Sequence, residues 1–200
     1  MKRFIISVII GAVAFLILSS IIPTEDEAQI YESTVRLHVV ANSDSERDQE
    51  VKLKVRDVIV EQMSKYNAKT KSEALEYIEA DKDNLIKIAE ECLKNNGFND
   101  TVTIEIGEET YPTREYEDFT LPAGNYTSLR VIIGEGKGKN WWCVLFPPIC
   151  TSPAIKYDED AYIDVGLTKD QYNLITGSSG EYKIKFKLLE LASEAFGFDY

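Results

Sequence analysis

Few residues in this chain have chemical capacity, and they are unevenly spaced. Cys143, His38 and Asn42 are the residue types of a cysteine hydrolase, in which an imidazole takes the thiol proton and an amide orients the ring. Nothing local supports that assignment beyond the inventory, so it stands as the alternative reading: an exported cysteine-dependent hydrolase acting on cell wall or peptide. His38 is the one histidine of the chain, and a zinc site would therefore have to recruit the cysteines. Asp158, Asp160 and Asp164 resemble half of a calcium loop but lack the glycine at the sixth position and the glutamate at the twelfth. Gly138-Lys139 is followed by Asn140, and Ile133 stands where a nucleotide-binding loop needs its first glycine. The expectation is a chain with no catalytic residue, no metal site and no cofactor.

The window from Gly134 to Cys150 gathers glycines, paired tryptophans, paired prolines and two of the three cysteines. Val131–Ile133 and Trp141–Phe146 are β-branched and aromatic enough for strands, which makes the glycine segment between them a hairpin connection. Pro147 and Pro148 cannot donate ladder hydrogen bonds and stop the second strand. Adjacent strand residues face opposite ways, so one of Trp141 and Trp142 fills the core while the other lies outward or under a loop. Trp141, Trp142, Phe146, Pro147 and Pro148 are the candidate partner contacts. Cys143 and Cys150 are a candidate disulfide in an oxidising compartment, provided the proline corner brings their α-carbons within about 7 Å. Cys92 sits on a helix stripe as a small hydrophobe.

The elements that hold these residues follow from periodicity. Lys2-Arg3 and the apolar run Phe4–Ile22 form an export signal or membrane anchor (residues 1–22), long enough at about 20 residues to span a bilayer. An acidic spacer covers 23–33. Thr34–Val40 alternates as a strand. Ser45 with Asp48 makes a capping box for a helix carrying Val51, Val55, Val58, Ile59 and Met63. A second helix starts at Thr70 or Ser72, carries Leu75, Ile78, Leu85, Ile88, Ala89 and Cys92, and closes at Gly97. Thr101–Ile106 alternates strictly, Tyr111–Tyr116 is an edge strand broken by Pro112, Leu121–Gly124 turns, and Tyr126–Ile133 leads into the tryptophan window. The fold class is α+β: a mostly antiparallel sheet with two helices packed on one face, over residues 34–151. Residues 152–180 are expected to be a mobile acidic and Gly-Ser tether, and 181–200 a strand and short helix. With 44% hydrophobic residues there is material for a core, and a net charge of −12 argues against a nucleic-acid partner.

Several blocks together carry a family resemblance: Leu37-His-Val-Val-Ala-Asn42-Ser43-Asp44-Ser45, Lys52-Leu-Lys-Val-Arg-Asp57, Pro112-Thr-Arg114, Leu121-Pro-Ala-Gly-x-Tyr126, and Gly136-x-Gly-x-Asn140-Trp-Trp-Cys-Val-Leu-Phe-Pro-Pro-x-Cys150. They resemble stage II sporulation protein R of endospore-forming bacteria over residues 34–151, with a weaker echo at 182–196. The resemblance singles out His38, Asn42, Ser43, Asp44, Ser45, Gly136 and Asn140 as family-motif positions and brings no catalytic residue with it. It implies a signalling protein and not an enzyme. Such a protein is exported from the forespore into the intermembrane space, where a membrane-embedded aspartic protease of the mother cell needs it to process a sigma-factor precursor.

Overall fold

The computed structural model describes residues 2–21, 25–116, 119–149, 163 and 167–177. The chain divides into two units, one of Tyr31–Thr110 with Asn125–Thr168, the other of Met1–Ile30, Tyr111–Gly124 and Lys169–Tyr200. The elements are α1 (Lys2–Ile21), α2 (Glu25–Ser33), β1 (Val35–Val40), α3 (Glu46–Ser64), α4 (Lys71–Asn95), β2 (Val102–Tyr111), β3 (Arg114–Glu115), β4 (Thr120–Leu121), β5 (Gly124–Ile133), β6 (Asn140–Phe146) and α5 (Lys169–Ile175).

The larger unit is a mostly antiparallel four-stranded sheet in the order β2-β5-β1-β6, covered by α3 and α4. β1 runs parallel to β5, with Leu37 opposite Leu129, and antiparallel to β6, with Leu37 opposite Cys143. Val35, Leu37 and Val39 therefore share one face with Leu129, Val131 and Ile133, and on them pack Val51, Val55 and Ile59 of α3 and Ile78, Leu85 and Leu93 of α4. This is the α+β arrangement that the alternation and the two helical stripes predict. Both helix starts also agree: Ser45 Oγ accepts from Asp48 N at 3.2 Å and Thr70 Oγ1 from Glu73 N at 3.2 Å. Gly97, at φ 81°, takes the left-handed conformation that ends α4.

The hairpin expectation is corrected. β5 and β6 are not neighbours, because β1 lies between them. The reason is visible in β1, all six residues of which are buried, Arg36 and His38 included. Its polar alternate positions suggest a half-exposed strand, yet a strand buried on both faces settles in the middle, where neighbours on either side satisfy its backbone. The glycine connection therefore crosses over the end of β1.

The smaller unit has α1, the helical part of the acidic spacer in α2, the β3–β4 pair with Arg114 opposite Leu121, and α5. α5 corrects part of the expected tether at 152–180, since Gln171, Leu174 and Ile175 recur at helical spacing and are buried. The remainder of that tether, Cys150 and the strand and helix expected at 181–200 lie outside the described residues. On α1, Phe4, Ile5, Ile6, Val8, Ile9, Ile10 and Phe15 are all exposed, which leaves apolar surface all round the helix. Among the described residues no helix is long and apolar enough to cross a membrane; the expectation of an export signal or anchor at residues 1–22 rests on the sequence alone.

Candidate functional site

The motif positions meet where β1 ends. Chain leaving β1 at Ala41 has four residues before α3, and the 134–139 connection lies across them. Gly138 N donates to Ala41 O at 2.9 Å and Lys137 N to Asn42 O at 3.1 Å. Asn42 Oδ1 accepts from Glu135 N at 2.9 Å, and Asp44 Oδ1 accepts from Lys139 N at 2.7 Å. Two stretches more than ninety residues apart are thereby fastened backbone to side chain.

Asp48 anchors the knot from α3. It accepts from Asn42 Nδ2 at 3.3 Å and, in a short bond, from the Ser43 hydroxyl. The capping box is thus one-sided. Ser45 Oγ caps the helix, but Ser45 N donates to Ser43 Oγ at 3.1 Å, and the Asp48 carboxylate turns to Ser43 and Asn42. Asn42, Ser43, Asp44 and Ser45 each have a bonding role here, Gly136 lies in the crossing loop, and Asn140 opens β6 opposite Val40.

Lys52, the first residue of the Lys52–Asp57 block, completes the arrangement, although its residue type alone does not mark it as a site residue. It is 4% exposed and donates from Nζ to Lys139 O at 2.9 Å and to Gln49 Oε1 at 2.6 Å. Burial pulls its ammonium below the usual lysine range, with Lys139 and Arg56 adding to the effect, while Asp44 works against it. The signal in sequence is the helical spacing of Ser45, Gln49 and Lys52, which puts them on one side of α3, where Lys52 continues the buried stripe of Val55 and Ile59.

The glycines follow from this closeness. A Cβ on Gly134, whose φ is 56°, would run into the Asn42 amide, and one on Gly138 would run into the Ser43 carbonyl. One on Gly136, at φ 62°, would stand 2.6 Å from Ile132 Cγ2.

The hydrolase alternative is not assembled. Cys143 pairs with Leu37 and packs in the core beneath the helices, whereas His38 pairs with Trp142 and faces the other way. His38 Nδ1 donates to Glu109 Oε1 at 2.8 Å, and Asn42 is held by Glu135 and Asp48. Thiol, imidazole and amide therefore sit in three separate environments. Among the described residues, no group of three or more His, Cys, Asp or Glu side chains could hold a metal ion.

The tryptophans also depart from expectation, as neither fills the core. Trp141 lies at the helix-side rim, 37% exposed, with the Arg56 guanidinium 4.8 Å from its ring centroid. Trp142 is half-buried on the far face, 5.6 Å from the His38 ring. Phe146 and Pro147 are buried and Pro148 is half-buried; Phe146 and Pro148 line a small apolar cavity of about 150 Å³ with Met63 and Tyr66. Of the five candidate contacts, Trp141 and Pro148 offer the most surface on the helix side.

Fold and site define a class of protein: an α+β domain whose two sequence-distant motif blocks are bonded into one unit, with its thiol and imidazole kept apart. The family model for stage II sporulation protein R (spore_II_R) matches residues 31–156, and the chain belongs to that family. It is similar to the stage II sporulation protein R of Bacillus subtilis (strain 168), 30% identical over 220 residues that cover 95% of this chain and 98% of that protein. No solved structure matches it. Membership places the chain in sporulation.

Proposed function

We propose that this chain is an exported activating ligand: it leaves the forespore and is required by a membrane-embedded aspartic protease of the mother cell to process a sigma-factor precursor. It is not itself a protease in this reading. The observation that carries the proposal is family membership across both interlocked motif blocks, supported by the placement of Cys143 and His38 on opposite faces of the sheet. The basic Lys2-Arg3 pair followed by the apolar run Phe4–Ile22 supports export through residues 1–22, as a cleaved signal or a retained anchor. Trp141 and Pro148 are the proposed protease-facing contacts, because an acidic protein that seeks one receptor needs a local apolar anchor.

A Cys143–Cys150 bridge belongs to the same proposal. Cys92 is the free thiol among the described residues, which include Cys143. Intact mass under non-reducing conditions is expected to be two hydrogen atoms below the reduced form, and two freely alkylated thiols besides Cys92 would argue against the bridge.

The test of the whole reading is a truncation. A chain lacking residues 1–22, expressed only in the forespore, is expected to fold and to leave the sigma precursor unprocessed. Normal processing by that truncated chain would remove export from the account.

A further inference from the structure

β2 is an edge of the sheet among the described residues, with β5 as its neighbour and ten residues of strand ending before Pro112. Its side chains alternate, so Glu105, Gly107 and Glu109 share the face turned away from the helices. Their contacts agree: Glu105 Oε2 lies 3.4 Å from Arg130 Nη1, and Glu109 binds His38, both on that face. Gly107 leaves a gap between the two acids. The result is an open hollow of about 340 Å³, with Ser128 and Arg130 of β5 also lining it.

Nothing inside the chain asks for glycine at this point. A Cβ built on Gly107 meets no atom within 4 Å, and its φ lies outside the range that disfavours other residues. A strand glycine weakens its strand, and where neither a turn nor internal crowding requires it, it marks the close approach of another backbone or a ligand. β2 also lacks the lysines and prolines that commonly blunt an edge, and carries acids in their place.

We infer that the β2 edge is a second docking surface, where an extended segment of a partner protein adds a strand and places a lysine or arginine side chain over Gly107 between Glu105 and Glu109. Main-chain pairing along β2 supplies affinity, and alternate side chains of the incoming strand supply specificity. The occupant is basic because the hollow's flanks are acidic and Arg130 offsets only part of their charge. The surface lies at the opposite edge of the sheet from Trp141, so it is separable from the contacts proposed on that side. It rests on the reading of this chain as a ligand for another protein.

The test uses the full chain and two synthetic peptides, one alternating lysine with valine and the other alternating glutamate with valine. Binding is read by fluorescence anisotropy and by shifts of the β2 amides in NMR spectra. The wild type is expected to bind the lysine peptide through β2 and not the glutamate peptide. Gly107→Val, which fills the hollow, and Glu105→Lys, which reverses one flank, should each weaken binding about tenfold or more, while Trp141→Ala leaves it intact. The thermal midpoint of Gly107→Val should not fall, so lost binding cannot be laid to unfolding. Absence of lysine-peptide binding, equal binding by Gly107→Val, or binding of the glutamate peptide would each overturn the inference. Sigma-precursor processing is scored separately: a chain that binds through β2 but supports no processing retains the docking site and refutes the ligand reading.

Discussion

Glycines occur in two regions of this molecule for opposite reasons. In the 134–138 connection each glycine is surrounded, and an added Cβ would meet Asn42, Ile132 or the Ser43 carbonyl. At Gly107 an added Cβ would meet nothing. The first region shows glycine imposed by the chain's own packing, where the loop must press against the exit of β1 to make its hydrogen bonds. The second shows glycine with no internal cause, which directs attention outward. The same residue type thus separates a structural knot from a surface.

The largest expected effect comes from breaking the knot. Gly138→Ala sets a methyl against a backbone carbonyl that is itself fixed by Gln49 at 2.8 Å, and overpacking of that kind is expected to cost about 2–3 kcal/mol. Chemical denaturation measures it, and an unchanged midpoint would show that the crossing loop is free to shift.

A smaller effect is expected at Lys52. Lys52→Met keeps the length but removes the donor to Lys139 O and Gln49 Oε1, for about 1–2 kcal/mol. It also carries a pH signature. Because the folded chain holds this ammonium below its ordinary value of 10.5, its burial costs stability at neutral pH. That cost is relieved as pH rises through the folded value towards 10.5. The wild type should gain this component on the alkaline side and Lys52→Met should not, in denaturation curves collected across that window.

The smallest effect is at the other glycine. Gly107→Ala should leave stability unchanged or raise it by about 0.4–1 kcal/mol, since alanine restricts the unfolded chain and strains nothing in the folded one. A loss comparable to that at Gly138 would mean that the two regions do not differ, and the contrast would fall.

Much of the fold is legible in the sequence because local chemistry fixes it. Ser45 and Thr70 start helices, Gly97 ends one, and the apolar positions of both helices point to the face they bury. The strand order is not legible. The β1 pattern Val-Arg-Leu-His-Val-Val reads as amphipathic, and only the buried partners of Arg36 and His38 make it central: Arg36 Nε donates to Cys143 O at 3.0 Å and its guanidinium lies 5.0 Å from the Tyr126 ring centroid. Non-local pairing of this kind leaves no periodic trace.

The candidate site was half legible. Its two blocks stand out by composition, but that Asn42 and Asp44 hold the backbone of Glu135 and Lys139 depends on a chain crossing that β1's central place creates. Trp141 and Trp142 illustrate the same limit. Alternation correctly puts them on opposite faces, yet Arg56 covers one and His38 neighbours the other, so the core under the helices is left to Cys143 and Leu145.

The central claim is that this chain works by engaging a protease and not by cutting anything itself. The most direct measurement is co-expression of the sigma-factor precursor with the cognate membrane protease, with and without this chain, read as conversion of the precursor to its mature size. The account predicts conversion only when both the protease and this chain are present, none with a protease lacking its catalytic aspartates, and undiminished conversion with a His38→Gln chain that still folds. Conversion by this chain in the absence of an active protease, or full conversion by the protease alone, would contradict it.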